Sequence, residues 1–173
     1  MKYSNFIRTV PNYPIDGVNF YDVNSLFADN KLFSVMIDDM ADKLSLVDDK
    51  YPTHIAGLES RGFVIGAALA YKMGLPFVMI RKKGAKYPGD LLEQSYGTEY
   101  STDTIVLQEG LLSHTDRVIL ADDLIATGGS MMAARSLVES TGAKVVGIGV
   151  IIDLFYVHCK EYDLLNVIAL DTV

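Results

Sequence analysis

Apolar positions recur at helical spacing after Asn30: Phe33, Met36, Ile37, Met40 and Leu44 fall on one face. Asp29 stands just before them, where a helix N-cap belongs. A short apolar run, His54–Leu58, reads as a strand. A helix follows from about Gly62 to Met73, with Gly66, Ala67, Ala68 and Ala70 allowing close packing on a sheet. Gly74 ends it in the usual place for a C-terminal glycine. Pro76–Ile80, Thr104–Gln108 and Arg117–Ala121 are further strands, and Gly129–Thr141 is a helix. Lys144–Asp153 carries the continuous apolar run of a strand buried on both faces. Val167–Leu170 is the last strand. The first 30 residues are turn-rich, with Pro11, Pro14 and Gly17, and hold one short strand at Val18–Phe20. Residues 81–102, RKKGAKYPGDLLEQSYGTEYST, break the pattern. They are polar, basic at the start and interrupted by Gly84, Pro88, Gly89 and Gly97, so they read as a long loop, which at that length is functional or disordered. Strands alternating with helices predict an α/β protein with a mostly parallel central sheet flanked by helices. Ligands bind such sheets beyond the carboxyl ends of the strands.

Composition narrows the function classes. The chain has 173 residues, 50% of them hydrophobic and 21% charged, which suits a single folded domain over 1–173. The formal net charge of -7 argues against a nucleic-acid or membrane-surface binder. It leaves open a small anionic substrate met by a local basic site. The single cysteine, Cys159, permits no internal disulfide. No stretch has the length of a membrane span or a signal core, so a cytoplasmic protein is expected.

The densest chemistry lies in VILADDLIATGGS, Val118 to Ser130. A strand runs into Asp122-Asp123, and the chain is expected to leave the sheet there, looping through Leu124–Thr127 to Gly128-Gly129-Ser130 at a helix start. Glycines let backbone N–H groups approach an anion, the helix N-terminus adds partial positive charge, and Thr127 and Ser130 add hydroxyls. A sugar phosphate matches both halves, with hydroxyls on the carboxylates and phosphate on the helix start. Capping alone would not require this combination. A P-loop is excluded, because no GxxxxGK[ST] occurs. Gly147 and Gly149 are spaced as GxG but lie within a strand.

This stretch resembles the phosphoribosyl-pyrophosphate motif of type I phosphoribosyltransferases. The resemblance extends over nearly the whole chain to the adenine phosphoribosyltransferase family, through Ile7-Arg8-Thr9, PNYPIDGVNFYDV, AGLESRGFVIGAALAYKMGLPFVMIRK, SYGTEY and DDLIATGGS in order. It implies the type I fold, with a small N-terminal hood at about 1–30 and a mobile catalytic loop at about 81–102. It implies transfer of the 5-phosphoribosyl group from 5-phosphoribosyl 1-pyrophosphate to adenine, giving AMP and pyrophosphate. Asp122 and Asp123 would bind the ribose hydroxyls, and Ala126, Thr127, Gly128, Gly129 and Ser130 the 5-phosphate. Glu59, Ser60 and Arg61 would bind pyrophosphate, with Arg81, Lys82 and Lys86 neutralising it, some of them across a homodimer interface. Glu99 would take a proton from adenine. Phe20 would stack on the base, with Asn19 and Tyr21 beside it. Asn19 and Tyr21 depart from the family, which commonly has an aliphatic residue and Arg there. Mg2+ would be held mainly by substrate oxygens, with no protein side chains dedicated to it.

Two rivals remain in sequence terms. One is a phosphoribosyltransferase for another base. Ala126 speaks against a 6-oxopurine, since enzymes for those bases usually carry Asp at that position. The other is a non-catalytic regulator of the same fold, against which stand the acidic charge and the presence of Arg61 and Glu99.

Overall fold

A computed structural model describes residues 1–84, 86–97, 102–159, 162–163 and 165–173. A 3-10 turn, Tyr3–Phe6, opens the chain, followed by β1 (Arg8–Pro11), β2 (Asn19–Asp22) and α1 (Asn24–Phe27). Then come α2 (Asn30–Leu44), β3 (His54–Leu58), α3 (Arg61–Met73), β4 (Phe77–Lys82), β5 (Leu91–Gly97), β6 (Thr102–Gln108) and β7 (Arg117–Ile125). The chain closes with α4 (Gly129–Glu139), β8 (Lys144–Asp153), a second 3-10 turn at Phe155–Val157, and β9 (Val167–Thr172).

Seven strands form one sheet in the order β5-β6-β4-β3-β7-β8-β9. The pairs from β4 to β9 are parallel, and β5 and β6 join one side antiparallel. Helices cover both faces. On one, Met36, Met40 and Leu44 of α2 and Ile65 and Leu69 of α3 bury against Ile55 and Ile119. On the other, Met131, Ala134, Leu137 and Val138 of α4 bury against Ala56, Leu58, Leu120 and Ile148. Alternate residues of β3 and β7 thus feed opposite cores. Gly147 and Gly149 are there for packing: a Cβ on Gly149 would stand 2.7 Å from the Leu44 side chain, and one on Gly147 3.2 Å from Val47.

Helix α2 begins as its sequence predicts. Asp29 accepts hydrogen bonds from the Lys31 and Leu32 amides, at 2.9 and 3.0 Å. Asp29→Ala should lose about 1 kcal/mol. Thermal unfolding should register this as a fall in Tm of about 2–4 °C.

Three departures from the sequence expectations matter for the site. First, β7 does not end at Ala121. Asp122 pairs with Val150, Leu124 with Ile152 and Ile125 with Asp153, because the long apolar run of β8 offers partners to the end. The acidic pair therefore sits within a strand. Second, the polar stretch after β4 contains a strand, β5, which pairs with β6 from Leu91↔Gln108 to Gly97↔Thr102. Its inward residues Leu92 and Tyr96 touch the core while Glu93 and Ser95 face out. Third, the lead-in is more ordered than a run of turns. The β1–β2 ribbon pairs Arg8 with Asp22 and Val10 with Phe20.

Candidate active site

Strand β3 delivers Glu59-Ser60-Arg61-Gly62 to the carboxyl end of the sheet, and the neighbouring β7 delivers Asp122-Asp123 to the same place. Contact between them is close because residue 62 has no side chain. A Cβ there would stand 2.6 Å from the Ala121 carbonyl and 3.0 Å from an Asp122 carboxylate oxygen. The peptide between Glu59 and Ser60 is cis.

Arg61 is the centre of the arrangement. Its Nε donates to the Asp123 carboxylate, which is only 2% exposed. Its guanidinium also lies over the Phe20 ring, 5.8 Å from the centroid. Burial works against its charge. The Asp123 hydrogen bond and the charges of Asp123, Asp122 and Asp22 outweigh that and hold it protonated. Asp122 stands differently. Burial, and then the charge of Asp123, push its carboxyl well above the usual range, although the Asp123 amide donates to it at 2.9 Å. One carboxylate of the pair is thus matched by a cation and its neighbour is held at a cost.

A cavity of about 290 Å³ opens between Glu59, Ser60, Arg61, Lys82, Asp122 and Asp123. Glu59 ties its rim to β4: its carboxylate accepts from the Lys82 amide at 2.9 Å and from Arg81 Nε at 3.4 Å. Arg81 also lies over the Tyr87 ring, and its Nη1 donates to the Lys86 carbonyl at 3.4 Å. The structure brings Lys82 to the cavity and holds Arg81 one step behind it. Lys86 meets this group through its carbonyl, which accepts from Arg81.

Beyond β7 lies the glycine loop. Gly128 has φ +91°, a conformation strained for any residue with a Cβ, and is the N-cap of α4. Thr127 is exposed, and the Gly129 amide donates weakly to its hydroxyl, at 3.5 Å. Gly128 has no side chain with which to cap this helix start, so apart from the long contact from Gly129 to Thr127 its first amides are oriented for an anion. Ala126 and Ser130 flank the loop. Strand β5 ends against it: a Cβ on Gly129 would lie 3.7 Å from the Gly97 carbonyl. Glu99 falls outside the described residues. Its flanks Gly97 and Thr102 pair with each other beside the loop.

Phe20 reaches the site from β2, half-buried, with Tyr13 edge-on at 5.3 Å. They share a hollow with Arg8, Val10, Asp22 and Asn24. Asn19 is exposed. Tyr21 points to the opposite side of the ribbon and packs on the core, with its hydroxyl pushed up by burial and then by Tyr156. The Tyr21 side chain is thus taken up in core packing, which sequence alone did not disclose. Sequence reasoning also missed Asp22, buried and ion-paired with Arg8. It missed the segment after β8, where the Leu154 amide donates to the Ile125 carbonyl and the Cys159 amide to that of Thr127. Among the described residues no group of three or more His, Cys, Asp or Glu is placed to hold a metal.

Known proteins resemble this chain throughout. The family model described as phosphoribosyl transferase domain matches residues 24–164. An adenine phosphoribosyltransferase of Solidesulfovibrio magneticus is 43% identical over 161 residues, covering 93% of this chain and 92% of that protein. The crystal structure of adenine phosphoribosyltransferase from Thermoanaerobacter pseudethanolicus superposes with a TM-score of 0.90 at 35% identity, over 98% and 96% of the two chains. The Trypanosoma brucei enzyme of that name, in complex with AMP, pyrophosphate and ribose-5-phosphate, superposes with a TM-score of 0.86 at 27% identity, over 98% and 77%.

Proposed function

The chain belongs to the phosphoribosyltransferase family, and we propose that it works in purine salvage, moving the 5-phosphoribosyl group from 5-phosphoribosyl 1-pyrophosphate to adenine. The products are AMP and pyrophosphate. The observation that carries this is the meeting of Arg61 with the Asp122–Asp123 pair, next to a helix start whose N-cap is a glycine. Relatives bearing the adenine activity in their names cover nearly the whole chain, and the trypanosomal structure holds both products and a sugar phosphate.

The residues divide the work. The amides of Gly128, Gly129 and Ser130, with the Thr127 hydroxyl, receive the 5-phosphate. Asp122 and Asp123 accept from the ribose hydroxyls. Arg61 spends Nε on Asp123 and presents its terminal nitrogens to the pyrophosphate, as Lys82 presents its ammonium. Ser60 faces the same cavity, and Glu59 holds Arg81 and Lys82 at its rim. As the ribose–pyrophosphate bond breaks, positive charge grows on the sugar and negative charge on the leaving group. Cations fixed in place beforehand stabilise the second. Phe20 supplies a face for adenine, with Asn19 and Tyr21 on the same strand. Glu99 takes up the imidazole proton as N9 attacks. Lys86 adds charge from the segment behind Arg81.

The carboxylate pair offers hard oxygen donors, which suit Mg2+, and a cation would offset the Asp123 charge that, after burial, raises Asp122. Mg2+ would be held mainly by oxygens of the ribosyl donor and, when bound, would further neutralise the leaving pyrophosphate.

Two broader properties belong to the same proposal. Val64 and Tyr71, two turns apart on α3, and Met79 on β4 are exposed, with Tyr71 at 92%. Apolar groups so placed favour a homodimer. No helix among the described residues is long and apolar enough to cross a membrane, and the net charge disfavours nucleic acid; cytoplasmic residence fits both.

Base choice follows from Ala126, whose methyl stands where a 6-oxopurine enzyme would place a carboxylate. Side-by-side assays of AMP, GMP, XMP and OMP formation should yield AMP at a rate at least about a hundredfold above the others. Formation of another nucleotide without AMP overturns the adenine assignment.

A further inference from the structure

Behind the glycine loop lies a group of polar side chains with no part in the chemistry above. Asp153 is the last residue of β8, 9% exposed. One of its carboxylate oxygens lies 2.5 Å from His158 Nε2, and the other accepts from the Tyr162 hydroxyl, also at 2.5 Å. The two rings stack at 3.4 Å with 12° between their planes. A carboxylate only accepts, so His158 carries its proton on Nε2. Burial, and then the hydrogen bond to Asp153, push the Tyr162 hydroxyl up, which keeps it a donor. A buried carboxylate needs such partners, and here both come from one short stretch of chain.

That stretch holds the glycine loop. Between His158 and Tyr162, Cys159 donates its amide to the Thr127 carbonyl at 3.0 Å. The Tyr162 amide returns to the Cys159 carbonyl at 3.1 Å. One residue further on, the space beside Gly128 is closed by Tyr162, Leu165 and Cys159, at 3.5, 3.6 and 3.9 Å from where a Cβ would be. Asp153 is itself in register with Ile125, two residues before Thr127. His158 and Tyr162 are thus pinned at one carboxylate, and Cys159, Tyr162 and Leu165 pack against Thr127 and Gly128.

We propose that Asp153 is a positioning residue for the 5-phosphate: by holding His158 and Tyr162 it fixes Cys159 and the Tyr162 ring against Thr127 and Gly128, and so aims the loop's amides. It touches no substrate. This rests on the loop being the 5-phosphate site, as proposed above, and deepens that assignment.

Calorimetric titration of the full chain with ribose 5-phosphate, with 5-phosphoribosyl 1-pyrophosphate and with pyrophosphate tests it. Asp153→Asn should weaken the first two about tenfold and leave pyrophosphate, bound on the Arg61 side, within about twofold. KM for the ribosyl donor should rise by a like factor while kcat holds to within about twofold. Tyr162→Phe removes one hydrogen bond while keeping the ring. It should shift the same two ligands about threefold, and it answers the question if Asp153→Asn does not fold. Asp153→Glu, which keeps a carboxylate, should recover part of the loss. Equal weakening of all three ligands, or no weakening in either variant, overturns the proposal. A wild-type chain that fails to bind ribose 5-phosphate overturns the site assignment itself. Wild-type binding without AMP formation strikes only at the base.

Discussion

Replacing Asp122 and Asp123 together with Asn should reduce kcat/KM for AMP formation by roughly a thousandfold. In the proposed function each carboxylate accepts from a ribose hydroxyl, and hydrogen bonds to charged groups are worth about 1.5–3 kcal/mol apiece. The pair also builds the negative field beside the sugar on which positive charge develops. Steady-state kinetics of the purified variant measures the loss, and activity within about tenfold of wild type would remove the pair from the mechanism. Stability should move the other way for Asp122 alone. Its carboxyl is raised in the folded chain by burial and by Asp123. A group raised on folding contributes stability that is present below its unfolded value and lost as pH rises through its folded value. Asp122→Asn removes that loss. The ligand-free variant should therefore melt higher than wild type at neutral pH, and the gap should close in acid as wild-type Asp122 becomes protonated. A site that gains stability when its chemistry is removed has been shaped by function.

The second large effect is expected at Arg61. Arg61→Ala should cost at least about a hundredfold in kcat/KM, the scale seen when one fixed donor to developing negative charge is deleted. It should also destabilise the fold by about 3 kcal/mol, because Asp123 would remain buried without its cation. Adding Asp123→Asn separates the two consequences. The double variant should recover most of the stability, read by urea unfolding, and none of the activity. Recovery of turnover along with stability would make Arg61 a structural partner only.

Much of this was legible from residue order. The apolar periods located α2, β3, α3, β8 and the parallel sheet. The run from Asp122 to Ser130 marked a candidate sugar-phosphate site because carboxylates, glycines and hydroxyls rarely crowd together for packing alone. Other features were hidden for physical reasons. The continuation of β7 through Asp122 depends on register with β8, a partner more than twenty positions away, and two acidic residues in succession signal a strand end on their own. Strand β5 is one-sided and polar, so its period of two rests on Leu92 and Tyr96 against glycines and prolines nearby. Tyr21 carried a hydroxyl and a place next to Phe20, yet strand alternation sends it to the other side of the ribbon. Asp153 looked like the end of an apolar strand, and only tertiary contact gives it His158 and Tyr162.

The bond between Arg61 and Asp123 joins residues 62 positions apart. It forms only when β3 and β7 lie side by side, with α3, β4 and the β5–β6 hairpin already threaded between them in sequence. Closing such a loop costs chain entropy before any contact repays it, and pairings of this kind slow folding. During synthesis the arginine half of the site leaves the ribosome well ahead of its carboxylates and must wait for them. Catalytic competence is therefore a late event in the life of the chain, reporting that the whole centre of the sheet has closed.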